Sequence, residues 1–355
     1  MQILRSFSHA VSRVVTRTHQ LRIFLSWLLD GYRKTDLAPT SRTFERSTAW
    51  CWNVEPRLVP TGEVRDQIML DGTYFNGWCV LIAHTGRYVV DWQWCDRERT
   101  ASWSAFIERI PAPVAAVVDG NGPLLSTIKK LWPETRIQRC HFHIQQAARK
   151  HSTRQPRREA NTELQAIYKA RRRVRSLDAA AVWQGQFIEW EARWSDFLKE
   201  RTYAAPVVSR SSYEKADQTW WRTRLRTRRA VKLLHTLLKV DQLFTWLKLA
   251  DDGYHIARTT PPLEGGPNAA IKGLLRAHRG LSPNHAIRAV NWVLYHRTEK
   301  PQDPWSFVTP ETWKPTRTPA PRQTSLKPET DSLYGTSFSI EDGNGVQKGW
   351  AGRTF

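Results

Sequence analysis

From Ser8 to Tyr32 apolar residues return at helical spacing (Val11, Val14, Val15, Leu21, Phe24, Leu25, Leu28, Leu29). That pattern predicts an amphipathic helix with one buried stripe, which Gly31 can end. A second, short helix is expected after Pro39-Thr40-Ser41, with the Ser41 hydroxyl capping the free amides of Arg42-Thr43-Phe44-Glu45-Arg46-Ser47. Two helices joined by a turn, the second carrying Arg42 and Arg46, satisfy a helix-turn-helix and an ordinary solvated hairpin alike.

The period changes at Gln67. Gln67–Tyr74, Trp78–Ala83 and Arg87–Trp92 each have strand patterning, and His84-Thr85-Gly86 supplies a turn between the second and third. A helix from about Ser102 to Ile110 leads to Val114–Val118, an unbroken apolar run of the kind that is buried on both faces of a sheet. A helix over Pro123–Leu131 and a strand over Arg136–Cys140 complete the order β-β-β-α-β-α-β, which predicts a mixed α/β sheet. Between Ile144 and Gly253 no strand is expected. Helical runs such as Ala179–Lys199 and Trp220–Leu249 point to an all-helical insertion. Leu263–His278 and Pro283–Tyr295 form a last helical pair, and Pro301–Pro328 reads as an extended linker rich in Pro, Thr and Ser. The chain thus divides into a helical region (1–62), a first sheet segment (63–143), the insertion (144–257), a second sheet-domain segment (258–299) and a linker with a tail (300–355).

Charge narrows the partner. Against 33 Asp+Glu stand 54 Lys+Arg, a net +21 and a pI of about 10.3 over 355 residues. Such a field draws polyanions. No run of 18 apolar residues offers a membrane span, and the first residues lack a secretory core, so nucleic acid fits best and a cytoplasmic location is expected. A ribosome-associated basic protein would share the charge, but 18 Trp residues argue for a packed aromatic domain. The four cysteines, Cys51, Cys79, Cys95 and Cys140, form no close pairs and are expected to be reduced thiols.

Two acids stand at strand ends, where a lone carboxylate is costly: Asp71 after Ile68-Met69-Leu70, and Asp119 after Ala115-Ala116-Val117-Val118. Either alone reads as a strand-end Asp capping the next turn. If the first and fourth strands are neighbours, however, the two converge, and a hard divalent cation with oxygen ligands resolves their repulsion. Glu264, opening a helix after Pro261-Pro262, is the candidate third acid. Glu264, Asn268, Lys272 and Arg276 recur every four residues on one face, away from Ile271, Leu274 and Leu275. A Glu complementing the helix dipole also explains Glu264, though not the cationic stripe.

Four segments together resemble the mutator-type (MULE-related) DDE transposases of bacterial insertion sequences: Asp71-Gly72-Thr73-Tyr74-Phe75, Val118-Asp119-Gly120, Cys140-His141-Phe142-His143, and Leu263-Glu264-Gly265-Gly266-Pro267-Asn268-Ala269-Ala270-Ile271-Lys272. The likeness is good over about 68–144 and 259–282, whereas the insertion matches only in character. Gly345 to Arg353 is similar to the tails of one subgroup. The resemblance implies a ribonuclease-H-like core interrupted by a helical insertion, with Asp71, Asp119 and Glu264 as catalytic metal ligands. It also matches Cys140 and His143 to a family signature. One Cys and one His make half a zinc site, so a supporting role beside the catalytic edge is expected for them, and for Asn268. Relatives often begin with a Cys-paired zinc module. This chain has no cysteine before Cys51, as a chain that starts late or is truncated would not.

The expected chemistry is phosphoryl transfer with two Mg²⁺ or Mn²⁺ ions, which first cleaves the element end and then joins its 3′-hydroxyl to target DNA. Lys272, Arg276, Arg279, Arg42 and Arg46 are expected to hold double-stranded DNA; Trp220 and Trp221 could stack on an unpaired base, though with Trp this abundant simple core packing accounts better for each one alone. The resemblance implies a homo-oligomer, a dimer or larger, on bacterial nucleoid DNA. The rivals are a non-catalytic remnant acting as repressor and a nuclease that cuts without joining.

Overall fold

A computed structural model describes residues 2–59, 61–75, 77–151, 155–205 and 217–313, with side chains from residue 14 onward. The expected tail motif at 345–353 lies outside the described residues. The chain falls into two compact units. In chain order the elements are α1 (Gln2–Leu29), α2 (Lys34–Leu37), α3 (Ser41–Thr48), β1 (Gln67–Phe75), β2 (Trp78–His84), β3 (Val89–Cys95), α4 (Thr100–Ile107), β4 (Ala115–Val118), α5 (Gly122–Leu131), β5 (Arg136–Arg139) and α6 (His141–His151). There follow α7 (Glu159–Ala170), α8 (Leu177–Arg193), α9 (Ser195–Lys199), β6 (Arg201–Tyr203), β7 (Trp220–Arg222), α10 (Leu225–Lys239), α11 (Thr245–Asp251), α12 (Pro261–Leu263), α13 (Ala269–Ala277) and α14 (Pro283–Tyr295). No helix among the described residues is long and apolar enough to cross a membrane.

The fold is α/β with a mixed five-stranded sheet ordered β3-β2-β1-β4-β5. β2 and β3 pair antiparallel, while β1, β4 and β5 run parallel, so the meander and crossover order expected from the sequence is realised. Ile68, Met69, Leu70 and all of β4 are fully buried. Each Ile, Met, Leu or Val among them contributes about 1.5–3 kcal/mol through apolar burial.

In the first unit, Leu21, Phe24, Leu25 and Leu28 of α1 pack with Val80, Ile82 and Val89 and with α14 around Trp292. The indole N–H groups of Trp92 and Trp94, two residues apart on one face of β3, both donate to Asn291 Oδ1 (3.0 and 2.8 Å). Three expectations are corrected here. Val14 and Val15 share the helical spacing but are exposed; among the described side chains the buried stripe of α1 begins at Leu21, and the side chain of Val11 lies outside them. Thr40, not Ser41, caps α3: its extended backbone after Pro39 lets Oγ1 accept the Thr43 N–H at 3.1 Å. The expected linker begins as packed structure, for Trp305, Phe307, Val308 and Trp313 lie against this core.

In the second unit a helical core gathers around Trp183, Phe187, Trp190, Leu234 and Leu237. Trp183 and Trp190 are buried with their donors satisfied: Trp183 Nε1 donates to the Ile167 carbonyl (2.9 Å) and Trp190 Nε1 to that of Ala160 (3.1 Å). The insertion is not wholly helical. β6 and β7 form a two-stranded antiparallel sheet pairing Arg201 with Arg222, Thr202 with Trp221 and Tyr203 with Trp220. Three-residue strands carry too little alternation to register as a period, so the sequence pattern assigns Trp220 to the following helix.

Candidate active site

Two parallel strands carry the first two acids to the same level. β1 and β4 pair Gln67 with Ala115, Ile68 with Ala116, Met69 with Val117 and Leu70 with Val118. The next residue on each strand is the aspartate, so Asp71 and Asp119 emerge side by side beyond the last buried pair, both half-buried. The expectation that the first and fourth strands are neighbours therefore holds.

Local structure orients Asp119. Its Oδ1 accepts the Asn121 backbone N–H at 2.8 Å. Asn121 in turn caps α5, its Oδ1 accepting the Leu124 N–H (2.9 Å), while its Nδ2 donates to Glu98 Oε2 (2.9 Å). Arg139, buried at the end of β5, feels the charge of Asp119. Burial pushes its guanidinium down to about 10, and Asp119 opposes that shift.

β5 brings in the next pair. The Cys140 N–H donates to the Val118 carbonyl at 2.8 Å, continuing the ladder to the point where α6 begins. The buried Cys140 Sγ lies 3.2 Å from Thr260 Oγ1 and accepts the Thr260 N–H at 3.3 Å. His143 follows within the first turn of α6. Burial would lower its pKa, but the hydrogen bond and charge of Cys140, then the charges of Asp119 and Asp71, raise it to about 9. For Cys140, burial raises the thiol, yet its interactions with His143 and the Thr260 hydroxyl leave it below its ordinary value. An imidazolium thus faces two carboxylates, and the like charges of the aspartates are partly offset by a cation.

The structure therefore brings together Asp71, Asp119, Cys140 and His143 within the second unit. Two neighbouring carboxylates, that of Asp119 oriented by the Asn121 N–H, fit a hard divalent cation, whereas the softer thiol and imidazole are engaged with one another. Glu98, Arg139 and Thr260 had drawn no attention in the sequence. All three reach the site through tertiary contacts that leave no local pattern.

Glu264 lies in the first unit, half-buried. It does not open its helix, because α12 starts at Pro261 and Glu264–Asn268 forms a π-helical turn ahead of α13. Pro267 has no N–H for an ordinary i−4 bond, and the Ala269 N–H reaches back to the Glu264 carbonyl instead. A strict four-residue register from Glu264 to Arg276 is therefore interrupted. Asn268 is buried, and Lys272, Arg276 and Arg279 are exposed, as are Arg42 and Arg46 of α3. In the second unit the pleat separates the two tryptophans. Trp221 is buried, whereas half-buried Trp220 carries the guanidinium of Arg201 at 4.3 Å and of Arg222 at 5.4 Å from its ring centre.

Residues 79–205 match the family model described as Transposase, Mutator family. No curated protein matches the chain.

Proposed function

We propose, from the match of residues 79–205 to the mutator-family transposase model, that this chain is a metal-dependent DNA transposase of an insertion sequence. On this reading it cleaves the ends of a mobile element and transfers them to target DNA, with Asp71, Asp119 and Glu264 as the catalytic carboxylates. The observation that carries the reading is the level emergence of Asp71 and Asp119 from adjacent parallel strands, beside His143. The mixed sheet with its meander and crossover strands supports a ribonuclease-H-like core.

Asp71 and Asp119 would hold Mg²⁺ or Mn²⁺ through their oxygens, with Glu264 as the third ligand. Two such ions supply an activated water or hydroxyl nucleophile and neutralise charge at the reacting phosphate. The chain's own groups orient and balance this centre. The Asn121 N–H fixes one Asp119 oxygen, and the protonated His143 offsets negative charge around the pair. Cys140 positions His143, a supporting role. Lys272, Arg276, Arg279, Arg42 and Arg46 are exposed cations available to phosphates, those of α3 within the proposed helix-turn-helix. Bringing two ends together calls for a homo-oligomer on DNA, in a bacterial cytoplasm at the nucleoid.

The test is cleavage and joining of a labelled element end by wild type and by Asp71→Ala, Asp119→Ala and Glu264→Ala. Wild type should act with Mg²⁺ or Mn²⁺ and fail with Ca²⁺, and each variant should lose both steps while still binding the end. Full cleavage by Glu264→Ala would remove it from the site. A wild type that binds ends and never cuts them in any metal would favour a non-catalytic repressor.

A further inference from the structure

A group of arginines in the second unit gathers around the start of α6 without any acid to balance it. Residues 171–173 form a short helical turn after α7, and Arg175 follows it. The Arg172 carbonyl accepts two guanidinium groups at once, Arg175 Nη1 at 2.7 Å and Arg258 Nη1 at 3.0 Å. One oxygen therefore holds two like charges close together, beside the side chain of Arg172 itself. Their repulsion is felt: the Arg258 guanidinium is pushed below its ordinary value by burial, then by Arg175 and Arg172. Among the described residues no ion pair joins any of these arginines to a carboxylate.

A second observation is independent of the first. Arg171 is fully buried, donates only Nη2, to the His141 carbonyl at 2.9 Å, and leaves Nε and Nη1 without a partner. Trp246, over whose ring Arg258 lies at 5.9 Å, likewise buries an indole N–H with no acceptor. Donors and positive charge thus accumulate here while acceptors do not. Like charges held this close are costly, and an anion at the exposed Arg172 and Arg175 and half-buried Arg258 would relieve their repulsion.

The place matters as much as the charge. His141 is tied to the cluster from both sides: its carbonyl accepts from Arg171, and its N–H donates to the Arg258 carbonyl at 3.0 Å. It sits between Cys140 and His143, and His143 is the residue that feels Asp71 and Asp119.

We propose that Arg172, Arg175 and Arg258 form a phosphate clamp that grips the DNA backbone beside the start of α6, the helix that also carries His143, with buried Arg171 as a positioning residue. The identity of the anion as a DNA phosphodiester rests on the transposase reading above. The clamp holds the strand flanking the reacting phosphate, and it contacts backbone oxygens rather than bases, so its grip is independent of sequence.

The experiment measures affinity for a labelled duplex over a salt series, using the full chain. Wild type is compared with Arg172→Ala/Arg175→Ala and with Lys129→Ala/Lys130→Ala, an equal charge change at exposed positions on α5. All four side chains are exposed, and matched thermal melts confirm that the variants fold. The arginine pair should weaken binding on the order of tenfold and flatten the slope of log K against log salt by up to ~1.8, about 0.9 per lost phosphate contact. The lysine pair should leave the slope near that of wild type. Equal losses in both variants, or an unchanged arginine variant, would overturn the clamp and leave the transposase reading standing. A wild type that does not bind DNA would remove that reading, and the clamp with it.

Discussion

Replacing Asn121 with Ala should expose how the Asp119 turn is built. Asn121 is buried and makes three polar contacts: its N–H to Asp119, its Oδ1 to the Leu124 N–H and its Nδ2 to Glu98. The backbone contact survives truncation, but the other two do not. Losing the helix cap costs about 1 kcal/mol. Losing a hydrogen bond to an ionised carboxylate costs about 1.5–3 kcal/mol, less here because Glu98 is only half-buried. The two share a residue and do not simply add, so the expected loss is ~2–3 kcal/mol. Asn121→Ser, which keeps a capping oxygen, should recover about 1 kcal/mol of it. Because the chain has two units, the readout is hydrogen exchange over residues 122–131 combined with urea denaturation followed by several probes. A change of less than about 0.5 kcal/mol in Asn121→Ala would refute the reasoning, since a surface substitution of no structural role gives as much.

His141 is held to about 3 by burial, then by Arg171, and it is neutral in the fold. Its folded pKa lies below the ordinary value, so its contribution to stability is complete above pH ~6.5 and is lost as pH falls from there toward 3. His84, lowered to about 4 by burial, acts in the same direction. Urea midpoints should therefore fall between pH 6.5 and 4, and His141→Gln should flatten that fall without changing its sign. A steeper dependence in the variant would contradict the assignment. On the first unit, Lys272→Ala and Arg276→Ala are each expected to lower the salt slope of DNA binding by about 1, uniformly across sequences, as a gel-shift series would show.

Much of the fold was legible because burial is periodic. The runs 68–70 and 115–118 are apolar without interruption, which marks strands covered on both faces; Asp119 stands where β4 ends, whereas β1 runs on past Asp71 to Phe75. That is why Asp71 and Asp119 could be paired from the sequence. Other features have no local signature. The alternation that hides Trp221 and leaves Trp220 half-buried depends on strand pairing across a long connection. The π-helical turn at Glu264 follows from Pro267, whose effect on register is felt upstream of where it stands. Val14 and Val15 share the spacing of the buried residues of α1 but remain exposed. Arg139, Arg171 and Thr260 are polar residues that tertiary contacts bury, and composition alone would place them at the surface.

The claim at the centre of this account is that the aspartate pair holds divalent metal. Mn²⁺ binding, titrated by electron paramagnetic resonance in the presence of a cleavable end duplex, tests it without relying on turnover. The account predicts up to two bound ions per chain in wild type and a loss of bound Mn²⁺ in both Asp71→Ala and Asp119→Ala, with thermal melts matching wild type. Undiminished Mn²⁺ binding in the Asp71→Ala/Asp119→Ala double variant would contradict it.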